Sequence, residues 1–154
     1  MKIIVTCGIG EGETELSAFD SALFNAGIAN LNLIKLSSVI PKGSDIVIEK
    51  FNKKFDYGDR LYCVLSGFST SVKGKFVYSG LGWVQDKEKK GLFVEHHGNT
   101  EEEVKRLIEN SLNSMIKYRK EKFGEINYKI TGTRCNGKPI CTIVCAVYKI
   151  ESWK

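Results

Sequence analysis

Nothing at the start of this chain has the length of a secretory leader or a membrane span. Met1-Lys2 leads directly into the apolar run Ile3-Ile4-Val5, far shorter than the roughly 20 apolar residues a spanning helix needs. The expected setting is therefore the cytoplasm, with no membrane partner. A disulfide framework is also missing. The five cysteines are odd in number and none stands in C-x-x-C spacing, so they read as reduced thiols. Cys141 and Cys145 share a face of one expected strand, but four residues of strand separate them by roughly 13 Å, too far for a bridge. Metal-ligand clusters are lacking too: the two histidines, His96 and His97, are adjacent and on a strand would point to opposite faces. There is no arginine-rich stripe. The net charge of +5 comes from lysines mixed with acids or placed in expected loops, which argues for a solvated surface and against a nucleic-acid face. Neither an internal repeat nor a disordered linker interrupts the sequence.

What is present fits one domain. With 154 residues and 42% hydrophobic content, the chain is long enough to bury a core without metal or disulfide support. Lys2 to Cys7 is a buried, β-branched strand. Gly8, Gly10 and Gly12 then suggest a loop. Their spacing does not match the dinucleotide fingerprint, and Glu11, Glu13 and Glu15 would repel a pyrophosphate there. Thr14 caps a helix with Leu16, Phe19, Leu23 and Ala26 at helical spacing, and Gly27 ends it. A strand follows over Leu31 to Leu36, and Pro41 prevents its simple continuation.

Beyond it, Arg60 to Leu65, Lys75 to Tyr78, Gly82 to Gln85 and Leu92 to His96 read as short antiparallel strands. Thr100 and Glu103 form a capping box for a second helix, whose stripe is Val104, Leu107, Ile108, Leu112 and Met115 and whose acidic start and basic end suit the helix dipole. Two last strands, around Ile126 to Thr133 and Ile140 to Ile150, are joined by a turn at Asn136-Gly137-Lys138-Pro139. Two helices and six or seven strands predict an α+β layered sandwich.

The pair Ser37-Ser38 stands at the end of the second strand. The Ser38 hydroxyl can attack the Ser37 carbonyl, turning the amide into an ester. Elimination then releases a chain ending at Ser37, and hydrolysis of the dehydroalanine left behind gives a pyruvoyl group at position 38. The step needs a donor for the developing oxyanion, and Asn32 is a candidate. On its own, a Ser-Ser dipeptide at a strand end reads as a solvated turn.

Its surroundings point further. Glu11-Gly12-Glu13-Thr14, Ala18-Phe19-Asp20, Asn25-Ala26-Gly27-Ile28 and Asn30-Leu31-Asn32-Leu33-Ile34, followed by Ser37-Ser38 and Pro41, resemble the pyruvoyl-dependent arginine decarboxylases. A second match, Gly91-Leu92-Phe93-Val94-Glu95 followed by Gly98, resembles the segment carrying that family's catalytic carboxylate. The stretch from Glu49 to Lys90 departs from the family pattern.

The resemblance implies an αββα sandwich assembled as a homotrimer, with sites between neighbouring subunits. It implies one decarboxylase domain over residues 1–154, self-cleaved into a β chain of 1–37 and an α chain of 38–154. The implied cofactor is a covalent pyruvoyl group derived from Ser38. The implied reaction converts L-arginine, bound as a Schiff base, to agmatine, a polyamine precursor, and CO2. Asp20 would hold the substrate guanidinium, because a planar fork meets a carboxylate through two charge-assisted bonds. Glu95 would protonate the substrate carbon after CO2 leaves. It shares a strand face with Phe93, and burial there would keep its proton available near neutrality. The alternatives are the same chemistry on another amino acid, or an unprocessed, non-enzymatic binding homologue.

Overall fold

A computed structural model describes all residues, Met1–Lys154. The elements run β1 (Lys2–Glu11), α1 (Glu15–Ala26), β2 (Asn32–Lys35), β3 (Val39–Ile40), β4 (Asp45–Ile48), β5 (Arg60–Thr70), β6 (Phe76–Gln85), β7 (Gly91–Gly98), α2 (Glu101–Ile116), β8 (Asn127–Arg134) and β9 (Ile140–Glu151). The strands form a five-stranded sheet, β2-β5-β9-β1-β4, and a four-stranded sheet, β3-β7-β6-β8. The two lie face to face with one helix outside each, the expected αββα sandwich.

Side-chain alternation builds the layers. In β1, Ile3 and Val5 point between the sheets while Ile4 points toward α1. In β9, Val144 and Ala146 join the inter-sheet core, whereas Cys141, Ile143, Cys145 and Val147 meet α1. Both faces are buried, which is why these strands read as continuous apolar runs. The third core layer sets Val104, Ile108 and Leu112 of α2 against Val84, Leu92 and Val94. All five cysteines are free.

Three expectations change. Gly8 and Gly10 lie within β1 instead of forming a loop. A Cβ on Gly8 would sit 2.0 Å from the Ala22 carbonyl oxygen, and one on Gly10 2.2 Å from the Ala22 nitrogen. These glycines let α1 rest directly on the strand. Likewise, the two runs around Gly80 and Gly82 are one strand, β6, because α2 presses on those glycines. A Cβ on Gly82 would meet Ile108 Cγ2 at 2.1 Å. The strand count is nine: β3 and β4, two and four residues long, are too short to show a period.

The helix signals hold more closely. Thr14 and Ser17 cap each other across the first turn of α1, and Gly27 closes it at φ 84°. Thr100 accepts from the Glu103 amide. The Glu103 carboxylate, however, takes the Asn99 amide (2.9 Å) instead of the Thr100 amide. The last turn of α2 carries no basic residue; Arg119, beyond it, caps the Met115 carbonyl at 2.7 Å. The turn at 136–139 joins β8 to β9, which belong to different sheets.

Candidate active site at a sheet crossover

The serine pair lies where the chain leaves one sheet for the other. Sheet pairing beyond β2 ends with the Leu36 amide donating to the Cys63 carbonyl (2.8 Å). Two residues later the Ser38 carbonyl accepts from the Phe93 amide of β7, in the opposite sheet, also at 2.8 Å. Ser37 stands exposed between these anchors. Ser38 has φ 74°, a left-handed conformation uncommon for a residue with a Cβ and a place where local strain is stored.

From that backbone, the Ser38 hydroxyl donates to Glu95 Oε2 at 2.9 Å. The contact follows from register. β3 pairs only with Gly91 and Leu92, so the edge of β7 beyond them is open for Ser38. Glu95 shares the face of Phe93, as alternation predicts, but it is exposed in the protomer. The expected burial is not supplied by a single chain.

A third residue reaches the same place from the other sheet. Tyr148 of β9 donates its phenol to the Val39 carbonyl at 2.9 Å, and its ring lies 6.1 Å from that of Phe93. Burial, with a smaller contribution from the Glu95 charge, pushes the phenol pKa up, so the group is a protonated donor at neutral pH. Sequence reasoning did not single out Tyr148. The signal was available, since alternation in the last strand places residue 148 on the inward face of Val144 and Ala146.

The histidines lie on opposite faces of β7, each with its own neighbour. His96 Nε2 is 2.7 Å from Ser111 Oγ of α2, and burial lowers its pKa. The His97 ring packs on Phe68 at 4.4 Å.

Asp20 and Asn32 stand elsewhere. Asp20 is exposed on α1 and makes no ion pair. Leu16 and Phe24, one turn to either side, are 78% and 69% exposed. The helix packs on β1, β9 and β5, so the five-stranded sheet separates it from the inward-facing Phe93 and Glu95. Asn32 begins β2, roughly 16 Å of extended chain before Ser37. Its amide donates to the Gly58 carbonyl at 2.7 Å, which also accepts the Trp153 indole at 2.7 Å. Asn32 therefore does not contact the Ser37 carbonyl of its own chain. A cavity of about 350 Å³ beside the downstream segment is lined by Val39, Pro41, Lys42, Leu92 and Arg119, among others, and contains neither Ser38 nor Glu95.

The site thus sets a serine hydroxyl on a carboxylate, at a left-handed residue where the chain crosses between sheets. The chain belongs to the pyruvoyl-dependent arginine decarboxylase family, whose family model matches residues 2–152. It is 32% identical over 118 residues to pyruvoyl-dependent arginine decarboxylase 2 of Archaeoglobus fulgidus, covering 72% of this chain and 75% of that one. It is 30% identical over 148 residues to the pyruvoyl-dependent arginine decarboxylase of Thermococcus sibiricus, covering 95% and 93%. The Pyrococcus abyssi protein of the same name gives the same identity and coverage.

Membership makes the chain a decarboxylase, and the family's cofactor is a covalent pyruvoyl group. The residues fit it: Ser38 is a serine from which such a group would be made, and Glu95 is the carboxylate beside it. No helix is long and apolar enough to cross a membrane.

Proposed function

We propose that this protein decarboxylates L-arginine to agmatine and CO2 with a pyruvoyl group made by its own cleavage at Ser37-Ser38. The observation that carries the reading is the Ser38 hydroxyl, set 2.9 Å from Glu95 on a left-handed backbone between two sheets.

The Ser38 oxygen attacks the Ser37 carbonyl carbon, and the C–N bond breaks as its nitrogen takes a proton. Loss of the Ser38 Cα proton then breaks Cβ–O, so the serine oxygen leaves as part of the Ser37 carboxylate. Water replaces the nitrogen, which departs as ammonia. The products are the 1–37 and 38–154 chains.

Once formed at residue 38, the pyruvoyl ketone would supply an electrophile for the substrate amine and a sink for the electron pair left by CO2. Glu95 has then lost the hydroxyl it accepted, leaving its carboxyl free to carry a proton to the substrate carbon. Asp20 holds the guanidinium through paired charge-assisted bonds. Because a sheet separates α1 from Glu95 within a protomer, Asp20 serves the site of a neighbouring subunit in a homotrimer. Asn32 acts from the same side, since one N–H of its amide remains available for the Ser37 carbonyl across the interface. Leu16 and Phe24 support such a contact, being large apolar groups left exposed around Asp20. The free thiols accord with the reducing cytoplasm as its compartment.

Mass spectrometry of the purified protein tests this directly. The expected masses are those of 1–37 and of 38–154 with a pyruvoyl terminus, together with release of agmatine from arginine. A single intact chain would refute the reading.

A further inference from the structure

Before the proposed cleavage, residue 38 is tethered on both sides. Upstream, the chain is fixed through the Leu36 amide on the Cys63 carbonyl. Downstream, Val39 and Ile40 pair with Leu92 and Gly91. Cleavage removes the upstream tether. It also removes the Ser38–Glu95 hydrogen bond, because the serine oxygen departs with Ser37. What remains at the new end is the Phe93 amide on the residue 38 carbonyl, a two-residue strand, and Tyr148 on the Val39 carbonyl. The Val39 side chain is 59% exposed and adds little packing. Tyr148 is thus the one side chain hydrogen-bonded to residues 38–40 whose bond survives.

Its own support is its ring. Tyr148 lies on β9, the central strand of the five-stranded sheet, at the bulge where Tyr62 of β5 pairs with Lys149 and Cys63 with Val147. Its ring contacts Phe93, which in turn packs 5.8 Å from Trp83. The phenol therefore links the inter-sheet core to a segment that otherwise hangs on the edge of β7. Burial and the nearby Glu95 charge keep it protonated, as a donor must be.

We infer that Tyr148 is a positioning residue for the processed enzyme: by holding the Val39 carbonyl, it keeps the new chain end against β7 and in register with Glu95. This rests on the self-cleavage reading, and it assigns Tyr148 a task that begins when the chain is cut.

The test places Tyr148→Phe in the normal chain and in a Ser38→Ala chain that cannot be cut. Cleavage is followed by mass spectrometry and the Val39 and Ile40 amides by hydrogen exchange. In the normal background, cleavage should reach its usual end point and those amides should exchange about tenfold faster, the factor one neutral hydrogen bond carries. Turnover of arginine should fall by a similar factor, with KM changed less than about threefold. In the Ser38→Ala background, with the upstream tether intact, exchange should change less than about twofold. Equal acceleration in both backgrounds would reduce Tyr148 to an ordinary structural tie, and unchanged exchange in the cut chain would overturn its role. Failure of the unsubstituted protein to cleave would instead overturn the self-cleavage reading beneath it.

Discussion

Ser38, Glu95 and Tyr148 come from three separate stretches of one chain: the Ser38 hydroxyl donates to Glu95 and the Tyr148 phenol to the neighbouring Val39 carbonyl, each at 2.9 Å. Asp20 and Asn32 belong to the same expected constellation but stand on exposed surface, Asp20 unpaired and Asn32 turned to the Gly58 carbonyl. The hydrogen bonds of the first group are all made within the protomer, and its backbone is held by both sheets, although Glu95 is left exposed. The second group has the right chemistry and no local object. Leu16 and Phe24, exposed beside Asp20, would each gain about 1.5–3 kcal/mol from burial, so this surface favours a protein neighbour. On the proposed reading, the serine that makes the cofactor and its carboxylate meet within one chain, whereas the oxyanion donor Asn32 and the substrate anchor Asp20 come from a second.

The strongest way to break the first group is to remove the nucleophile. Ser38→Ala should leave a single 154-residue chain and no detectable decarboxylation, read on a denaturing gel and by agmatine release. A cleaved product at that position would disprove the assignment of the attacking oxygen. Next in size is Glu95→Gln. The amide oxygen still accepts the Ser38 hydroxyl, so cleavage should proceed largely intact, but the proton for the substrate carbon is lost. Turnover should then fall by about 10²–10⁴-fold. Comparable loss of cleavage would mean instead that Glu95 is needed as the base for the attack.

Legibility in the sequence divides along similar lines. Local signals were readable: Thr14 and Gly27 bound α1 as expected, and the stripe through Val104, Ile108 and Leu112 faces its sheet. The glycines misled because their reason is tertiary. Gly8 and Gly82 look like chain breaks, but they are flat places on which α1 and α2 lie, and no local pattern announces a helix arriving from elsewhere. The two-residue β3 was invisible for want of a period, yet it sets residue 38 on the edge of β7. In the site, family resemblance supplied Ser38 and Glu95 together, and their contact follows from the register of β7. Tyr148 had no motif to mark it. Its meaning depends on the Val39 carbonyl, 109 residues away in sequence.

The smallest expected effect sharpens the contrast most. Asp20→Asn keeps the size of the side chain but removes the charge that meets the guanidinium. Cleavage should be unaffected, while KM for arginine should rise by about tenfold to hundredfold, as expected for lost charge-assisted hydrogen bonds. An unchanged KM would show that Asp20 does not hold the substrate. Co-expression with Ser38→Ala then asks where Asp20 acts. Subunits carrying Asp20→Asn retain Ser38 and Glu95, and subunits carrying Ser38→Ala retain Asp20. If each site draws Asp20 from a neighbour, random assembly gives about a quarter of the sites a complete set, and decarboxylation at low arginine should rise above that of either variant alone. If Asp20 acts within its own chain, every site in the mixed oligomer lacks one residue or the other, and mixing restores nothing.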